Sequence, residues 1–362
     1  MKASCFLAAG WAAATWTAAA ATSIDPVNFG AWGANIGWLN GRGDVANGAV
    51  IGEYVCSGYI YAANVGWINL GSGSPTNGMY YQNLSANDFG VNLDNLGYLR
   101  GYAWGANIGW INFEANGAPH VDLTTGNFSG YAYAANCGWI SLSNALAYVQ
   151  TDTLAPGPDS DGDGIPDAWE LSWFGNLMTA NGTSDFDGDG MSDKAEYLAG
   201  TSPVDREDNL RITHIERGVP PHSPTHVILE WTSKPTRLYR LEQRTAFDPA
   251  SPWEQNITGF ENLPGWSYVG FDEVGLQYFY RIRAVRPLMP GAPLLFILRT
   301  TTNTVAIAWP SPSTEWNLQQ NTNTIGSLNW SNVTSGIQDD GTTKTLIVNP
   351  PAGNRFYRLN KP

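Results

Sequence analysis

A nine-residue motif occurs four times between residues 24 and 150, and it constrains the fold of this region more than any other feature. The motif reads [Trp/Tyr]-[Gly/Ala]-Ala-Asn-x-Gly-Trp-[Ile/Leu]-[Asn/Ser], and its copies occupy residues 32–40, 61–69, 104–112 and 133–141. The closing tryptophans, Trp38, Trp67, Trp110 and Trp139, are separated by 29, 43 and 29 residues. A pair of copies therefore repeats at 72 residues, which predicts a β-repeat array with pseudo-two-fold symmetry.

Each copy is predicted to form a β-hairpin. In the second copy, residues 59–61 are expected to form the first strand and residues 66–68 the second strand. Ala63 and Asn64 are expected to form the turn between them, because asparagine tolerates a positive φ. A turn centred there places Tyr61 opposite Gly66. A further strand is expected before copies two to four. Propeller-like, prism-like and stacked β-roll arrangements all fit this pattern.

The four closing tryptophans have two interpretations. Flat aromatic faces stack on sugar rings, so these residues are candidates for binding an extracellular polysaccharide. Tryptophan at a fixed position of a repeat more often fills a repeated core, however, and the sequence favours that second interpretation. The candidate ligand-binding residues are Trp38, Trp67, Trp110 and Trp139.

Two twelve-residue acidic loops follow the array, at residues 159–170 and 185–196. Each contains five carboxylates, which repel one another unless a hard cation with oxygen ligands binds between them. The spacing is that of a calcium loop, so Ca²⁺ is the predicted cofactor. The predicted ligands are acidic side chains and, at the seventh loop position, a backbone carbonyl. They are Asp159, Asp161, Asp163, Ile165, Asp167 and Glu170 in the first loop, and Asp185, Asp187, Asp189, Met191, Asp193 and Glu196 in the second.

The surroundings of the loops differ from those of a sensor EF-hand. Pro156 and Pro158 leave no room for a helix before the first loop, whereas an EF-hand consists of helix, loop and helix. Short helices are expected only after each loop, at residues 168–174 and 194–199. The small core predicted between them contains Trp169, Trp173, Phe174 and Tyr197.

Residues 209–362 contain a second internal repeat. Trp231 corresponds to Trp309, and the segment Phe-Tyr-Arg recurs at residues 279–281 and 356–358, an offset of 77 to 78 residues. Alternation of apolar and polar residues in these segments is typical of half-buried strands. The sequence predicts two small β-sandwich-like modules, and each has room for five or six strands.

Three segments resemble known families. The pattern Asp-x-Asp-Gly-Asp-Gly-x-x-Asp-x-x-Glu resembles the thrombospondin type 3-like calcium repeats of exported bacterial proteins, which have EF-hand-type loops. Residues 101–111, Gly-Tyr-Ala-Trp-Gly-Ala-Asn-Ile-Gly-Trp-Ile, resemble GYAWxxNxGWI-type repeat arrays. Residues 278–285 resemble a late strand of a fibronectin type III-like sandwich. The first resemblance implies a structural calcium-binding segment.

The fold class is therefore predicted to be mainly all-β and multidomain, with one short helical segment. The predicted division is a signal peptide at residues 1–21, a four-copy β-repeat domain at 24–150, a linker at 151–158, a calcium-binding segment at 159–208, and sandwich-like modules at 209–293 and 294–362. Met1-Lys2 and the Ala-rich apolar run that follows resemble a Sec signal peptide, which predicts a secreted or cell-surface protein with no membrane span after processing.

Two further observations limit the chemistry. The net charge is −13, ten of the carboxylates lie in the two loops, and no Lys/Arg cluster is present, so a nucleic-acid partner is not expected. Cys56 and Cys137 follow the predicted signal peptide, and a disulfide between them or two buried thiols are equal alternatives.

The predicted function is that of a non-catalytic, calcium-binding structural or adhesion protein. No nucleophile elbow, phosphate loop or dinucleotide fingerprint occurs in the sequence. The expected partners are calcium and either a surface protein or an extracellular polysaccharide. Polysaccharide binding by the aromatic array is the alternative function, and a glycoside hydrolase with a carboxylate pair on a β scaffold is a distant third.

Overall fold

Strands dominate the computed structural model of this protein, which confirms the predicted mainly all-β, multidomain fold. The structure describes residues 22–44, 46–218, 221, 223–246, 248, 253–255, 261–263, 265–272, 278–293, 295–299, 304–311, 313, 316–322, 324, 329–350 and 353–361. The predicted signal peptide at residues 1–21 lies outside the described residues. Within the described part, no helix has the length and apolar character needed to cross a membrane.

The repeat array forms a closed antiparallel barrel. Its strands are β1 (Ile24–Gly33), β2 (Gly37–Asn40), β3 (Val50–Ile51), β4 (Cys56–Ala62), β5 (Gly66–Ser72), β6 (Val91–Leu93), β7 (Leu99–Gly105), β8 (Gly109–Asn112), β9 (His120–Val121), β10 (Phe128–Ser129), β11 (Tyr131–Ala134), β12 (Gly138–Ser141) and β13 (Val149–Thr151), with a 3₁₀ turn at Ala115–Gly117. Eight of them pair in the order β1-β2-β4-β5-β7-β8-β11-β12, and β12 returns to β1.

Each motif copy contributes one hairpin to this ring, as the sequence predicts. This barrel is not the propeller-like, prism-like or stacked β-roll arrangement that the sequence left open. The fourth hairpin pairs with the first, so the sheet closes and leaves no free edge in the ring. The short strands β3 and β6 pair with the first residues of β4 and β7, and Ile51, Val91 and Leu93 add to the core. A single hydrophobic cluster fills the interior.

The register of the hairpins differs by one residue from the prediction. Tyr61 pairs with Trp67 and Ala62 with Gly66, so the turn has three residues and Tyr61 does not face Gly66. A one-residue shift in register sends every side chain of a strand to the other face. The Gly or Ala at the second motif position and the Ile or Leu at the eighth therefore face the interior, and the aromatic residues point outward.

The prediction that the repeated tryptophans fill the core is therefore wrong. The four closing tryptophans are between 44% and 48% exposed, whereas Ala62, Ile68 and their counterparts are almost completely buried. The interior of an eight-stranded barrel is just wide enough for side chains of moderate size. Small and aliphatic residues fill that space, and the indole rings lie on the outer surface.

Four asparagines, one in each hairpin turn, join the hairpins into a ring at one end of the barrel. The side-chain amides of Asn35, Asn64, Asn107 and Asn136 donate to the carbonyls of Cys137, Ile36, Val65 and Ile108, respectively, at 3.0 or 3.1 Å. Each acceptor is the residue x of the neighbouring motif, and its side chain is buried. The next residue is glycine because the backbone there has a positive φ, as at Gly66 with +81°. The Asn-x-Gly segment thus connects adjacent hairpins.

Replacing Asn64 with alanine is expected to lower the free energy of unfolding of the barrel by about 1 kcal/mol, because a carbonyl at the ring loses its donor. Urea denaturation followed by tryptophan fluorescence measures this loss. Asn136→Ala should cost a similar amount, and Asn95→Ala, in an exposed turn, is the control with little expected effect. Equal losses in Asn64→Ala and Asn95→Ala would contradict the role of the ring.

Cys56 and Cys137 are both buried and are not joined by a disulfide. Cys137 is the residue x of the fourth motif and lies at the end of the barrel that carries the ring. Cys56 begins β4, six residues before Ala62 at the hairpin turn, which is about 20 Å along a strand. A disulfide requires α-carbons within about 7 Å, so the structure corresponds to the alternative of two buried thiols.

The tail contains two modules with the same topology. The first has strands β14 (Ile212–Arg217), β15 (His226–Ser233), β16 (Leu238–Arg244), β17 (Glu254–Gln255), β18 (Glu261–Leu263), β19 (Gly265–Asp272) and β20 (Phe279–Val285). The second has β21 (Phe296–Arg299), β22 (Val305–Pro310), β23 (Asn317–Asn321), β24 (Ser331–Asn332), β25 (Ile337–Asp339), β26 (Thr343–Val348) and β27 (Phe356–Asn360).

Both modules pair their strands in the same order. The first forms sheets β14-β15-β19-β18 and β17-β16-β20, and the second forms β21-β22-β26-β25 and β24-β23-β27. Each module therefore has seven described strands, one or two more than the sequence predicts, because β17 and β24 have only two residues each. Trp231 and Trp309 occupy equivalent places in the two cores and are almost completely buried.

Candidate metal centre

Each acidic loop leads directly into the first turn of a short helix. Helix α1 (Asp167–Phe174) begins after Pro166, and helix α2 (Asp193–Ala199) begins after Ser192, whose hydroxyl accepts a hydrogen bond from the Ala195 amide. The eighth loop position is therefore the N-cap of the helix, and the twelfth lies in its first turn. Carboxylates are stabilised near a helix N-terminus. Residues 151–166, all described, contain no helix, as the linker prolines predict.

The first three aspartates of each loop converge. Carboxylate oxygens within each group lie within 4.8 Å of one another, and the groups are Asp159, Asp161 and Asp163, and Asp185, Asp187 and Asp189. Backbone amides fix the first member, since Asp159 accepts hydrogen bonds from Gly162 at 2.8 Å and from Gly164 at 3.0 Å. The second loop has the same bonds to Asp185. Gly164 has a φ of +88°, which allows this bend.

A buried glutamate lies near each aspartate group, Glu170 in the first loop and Glu196 in the second. Glu170 and Glu196 are fully buried, and both carboxylate oxygens of Glu170 and one of Glu196 have no hydrogen-bond partner among the described residues. Burial, followed by the nearby Asp161, raises the pKa of Glu170 from 4.5 to about 7, and burial with Asp187 raises the pKa of Glu196 to about 8. Buried carboxylates of this kind require a proton or a cation. The donor set of five or more hard oxygens per loop fits Ca²⁺.

The aspartates at the ninth position, which the sequence also predicts as ligands, accept hydrogen bonds within their loops. Asp167 accepts hydrogen bonds from the Ser160 amide at 2.7 Å and from its hydroxyl at 2.5 Å, one on each carboxylate oxygen. Asp193 accepts from the Phe186 amide at 3.0 Å and from the Ser184 hydroxyl at 2.5 Å. Neither aspartate belongs to a converging group. These hydrogen bonds connect the start of each loop to the start of the helix that follows it.

A small core holds the two loops together and against the barrel. Ile165, Trp169 and Tyr197 pack with Tyr54 from the barrel, and Phe174 lies at the edge. This core contains Trp169, Phe174 and Tyr197, as predicted. The fourth predicted member, Trp173, lies outside this core and is 39% exposed, with its ring centre 6.4 Å from that of Trp169.

The loops are also tied directly to each other. Lys194, in the second loop, donates from Nζ to the backbone carbonyl of Asp163 in the first loop at 2.7 Å. This bond neutralises part of the local negative charge and holds α2 against the first loop. The two sites therefore form one unit.

A cluster of buried charged and polar groups, the Glu53 cluster, connects this unit to both neighbours. Glu53, from a barrel loop, accepts hydrogen bonds from Tyr197 Oη at 2.9 Å, from Arg286 Nε at 2.5 Å and from the Gly157 amide at 3.1 Å. Arg237 donates from Nε to the Leu198 carbonyl at the end of α2, at 2.8 Å. We define the Glu53 cluster as Glu53, Gly157, Tyr197, Arg237 and Arg286.

Burial and neighbouring charges shift the pKa values of the two arginines in the Glu53 cluster. Burial, with Arg286 nearby, lowers the pKa of Arg237 to about 9. Burial opposes ionisation of Arg286 as well, but Glu53 raises its pKa above the usual value. Sequence reasoning missed these residues, since they are far apart in the chain and belong to no motif. The sequence offers one weak indication of the charged members of the Glu53 cluster, which is that charged residues are scarce in this chain.

Comparison with known proteins agrees with the resemblance seen in the loop spacing. Residues 159–172 and 185–205 match the bacterial TSP3 repeat family, a structural calcium-binding repeat. A search of the curated proteins finds no match. The matched residues contain both converging aspartate groups, both buried glutamates, most of α1 and all of α2.

Proposed function

We propose that this protein is a secreted or cell-surface structural and adhesion protein, without catalytic activity, in which two Ca²⁺ ions stabilise residues 159–208. The observation that carries the proposal is the pair of fully buried glutamates, Glu170 and Glu196: three of their four carboxylate oxygens lack donors among the described residues, and loop aspartates lie nearby. The match to a calcium-binding repeat supports the choice of metal. A calcium-dependent segment between two β regions is a structural joint.

The proposed ligands follow from the placement of each side chain. Asp159, Asp161 and Asp163 each contribute carboxylate oxygen, Glu170 contributes both of its oxygens, and Ile165 contributes its backbone carbonyl. The second loop repeats the set with Asp185, Asp187, Asp189, Glu196 and Met191. We assign Asp167 and Asp193 to orienting the loops rather than to the ion.

The Glu53 cluster supports the role of a joint. Tyr197 directly follows the proposed ligand Glu196 on α2, and its hydroxyl reaches Glu53 of the barrel. Arg286 and Arg237 come from the first tail module and contact Glu53 and the C-terminal end of α2. Ordering of the second loop by calcium would therefore fix the surface on which the barrel and the tail module meet.

The C-terminal end of the chain supports the same role from the other side. Lys361 Nζ lies 2.6 Å from Asp25 Oδ2 and 2.8 Å from Asp152 Oδ1, both in the barrel region. We call this contact the Lys361 clamp. It holds the second tail module against the barrel, so a partner that binds one part of the molecule meets a fixed arrangement of the others. The two tail modules, which we propose to be fibronectin type III-like, would present the adhesive surface.

Titration of the full chain with CaCl₂ in a calorimeter is expected to detect two binding events at micromolar to millimolar concentrations. Glu170→Gln and Glu196→Gln should each abolish one of them, because each removes a bidentate ligand. Glu207→Gln, an exposed carboxylate outside both loops, is the matched control. Chelation should also increase proteolysis within residues 151–208. Absence of calcium binding, together with proteolysis unaffected by chelation, would refute the joint.

The outward position of the aromatic residues favours a second candidate function, the binding of an extracellular polysaccharide by the barrel. In each hairpin the first and last aromatic residues of the motif pair across the strands, as Tyr61 and Trp67 do with ring centres 4.8 Å apart. Both rings remain more than a third exposed. A band of exposed aromatic surface of this extent is typical of an interaction site.

A further inference from the structure

The four-fold pattern of the barrel is interrupted at one place. The second and third motif copies are separated by 43 residues, whereas the other neighbours are 29 apart. The longer connection carries a loop at residues 83–90, which lies on the outside of the barrel next to the second and third hairpins. We call it the Phe89 loop. Its presence makes the aromatic surface beside it different from the equivalent surface of the other hairpins.

The Phe89 loop is held firmly by its own hydrogen bonds. Asp88 is buried and accepts from the Thr76 amide at 3.1 Å and from the Gln82 amide at 2.9 Å. Asn83 accepts from the Gly90 amide at 3.0 Å. These bonds close the loop at both ends. A loop fixed in this way loses little conformational freedom when a ligand binds to it.

Two grooves lie on either side of the Phe89 loop and share Ala86 and Phe89 as a common wall. The larger, of about 500 Å³, extends to Tyr59 and Asn69 of the second hairpin. The smaller, of about 390 Å³, reaches Trp110 of the third hairpin. Both grooves are wide open to solvent, which suits an extended chain better than a small enclosed ligand. The two grooves together form one extended surface that runs across two hairpins.

The walls of the grooves carry aromatic rings and uncharged polar groups. The Phe89 ring lies edge-on to Trp110 at 5.1 Å, and Tyr102 lies 6.2 Å from the same indole. Leu84, at the rim, is 85% exposed. Among the described residues that line the two grooves there is no Lys, Arg, Asp or Glu, and amides and hydroxyls supply the polar contacts.

We propose that this double groove binds an uncharged polysaccharide chain. The proposal rests on the second candidate function above and names the site and the charge class of its ligand. Ring faces offer stacking surfaces, and the amides and hydroxyls between them bind sugar hydroxyls. The lack of charge disfavours acidic polysaccharides. An extended peptide is disfavoured too, because β4, β5, β7 and β8 are paired on both sides and offer no free edge for strand addition.

The internal repeat supplies matched control variants. Trp110 and Trp139 are equivalent residues with 44% and 48% exposure, but only Trp110 lies against Phe89. Phe89→Ala and Trp110→Ala are expected to weaken binding of a neutral polysaccharide about tenfold or more, whereas Trp139→Ala should change it less than about twofold. Thermal melting of each variant establishes that it is folded.

The experiment is affinity electrophoresis and calorimetry of the full chain with soluble β-glucan, xyloglucan, galactomannan and dextran, and with alginate as the acidic comparison. Binding to a neutral chain with selective loss in Phe89→Ala and Trp110→Ala supports the proposal. Equal losses in Trp139→Ala overturn the groove but keep polysaccharide binding by the barrel. Preference for alginate overturns the uncharged ligand. Binding to none of the five overturns both the groove and the second candidate function, and leaves the calcium joint unaffected.

Discussion

Changing Glu53 to glutamine is expected to lower the free energy of unfolding by about 3–5 kcal/mol, which is the usual cost of removing one partner of a buried ion pair. Glutamine keeps the shape of the side chain and can still accept from Tyr197. It leaves the buried Arg286 without its counter-charge, close to the buried Arg237. The contact between the barrel, α2 and the first tail module is expected to open before any of them unfolds.

Urea denaturation of the full chain, with the hydrodynamic radius followed in parallel, tests this prediction. The double variant Glu53→Gln/Arg286→Met should recover much of the loss, since it removes the uncompensated charge. Lys234→Met is the control, because it breaks an ion pair with Asp208 in which both side chains are about a third exposed, and such pairs contribute about 0–1 kcal/mol. Equal effects of Glu53→Gln and Lys234→Met would show that the Glu53 cluster does not hold the parts together.

In the presence of a chelator, the calcium segment is expected to be more stable at pH 5.5 than at pH 8.5. The pKa of Glu170 is raised from 4.5 to about 7 and that of Glu196 to about 8, chiefly by burial. The folded state therefore holds protons that the unfolded state has already lost. Their contribution to stability is complete below the unfolded pKa near 4.5 and is lost as the pH rises through 7 and 8.

Calcium should reverse this dependence, because it replaces the protons and binds best to the ionised carboxylates. At a concentration one hundred times the dissociation constant, each ion adds about 2.7 kcal/mol of stability. Thermal melts at both pH values, with calcium and with chelator, measure the two curves. The variant Glu170→Gln/Glu196→Gln should flatten the curve obtained with chelator. Greater stability at pH 8.5 than at pH 5.5 without calcium would contradict the assignment of these groups.

The sequence predicted the loops and helices well because their determinants are local. Acidic residues at fixed spacing, Gly164 at the bend and prolines before the first loop all act within a few residues of one another. The roles of Asp167 and Asp193 were not predictable in the same way. Their carboxylates accept hydrogen bonds from Ser160, Ser184 and Phe186, and a spacing pattern does not reveal such contacts.

The orientation of the tryptophans was not predictable for a different reason. The face of a strand on which a residue lies depends on where the turn begins, and a turn of three residues instead of two reverses the assignment. The Glu53 cluster lies beyond sequence reasoning altogether. It brings together five residues from five separate segments of the chain, and only the packing of the parts makes them neighbours.

The ring of asparagines has a consequence for how many motifs such a barrel can contain. Each turn donates to the turn before it, and Asn35 of the first motif donates to Cys137 of the last. An open solenoid gains or loses a unit at its end with little effect on the others. A closed ring has no end, so its copy number is fixed, and removing one 72-residue pair would leave two strand edges unpaired. During synthesis, β1 also cannot complete its pairing with β12, its second neighbour in the ring, until residue 141 has been added.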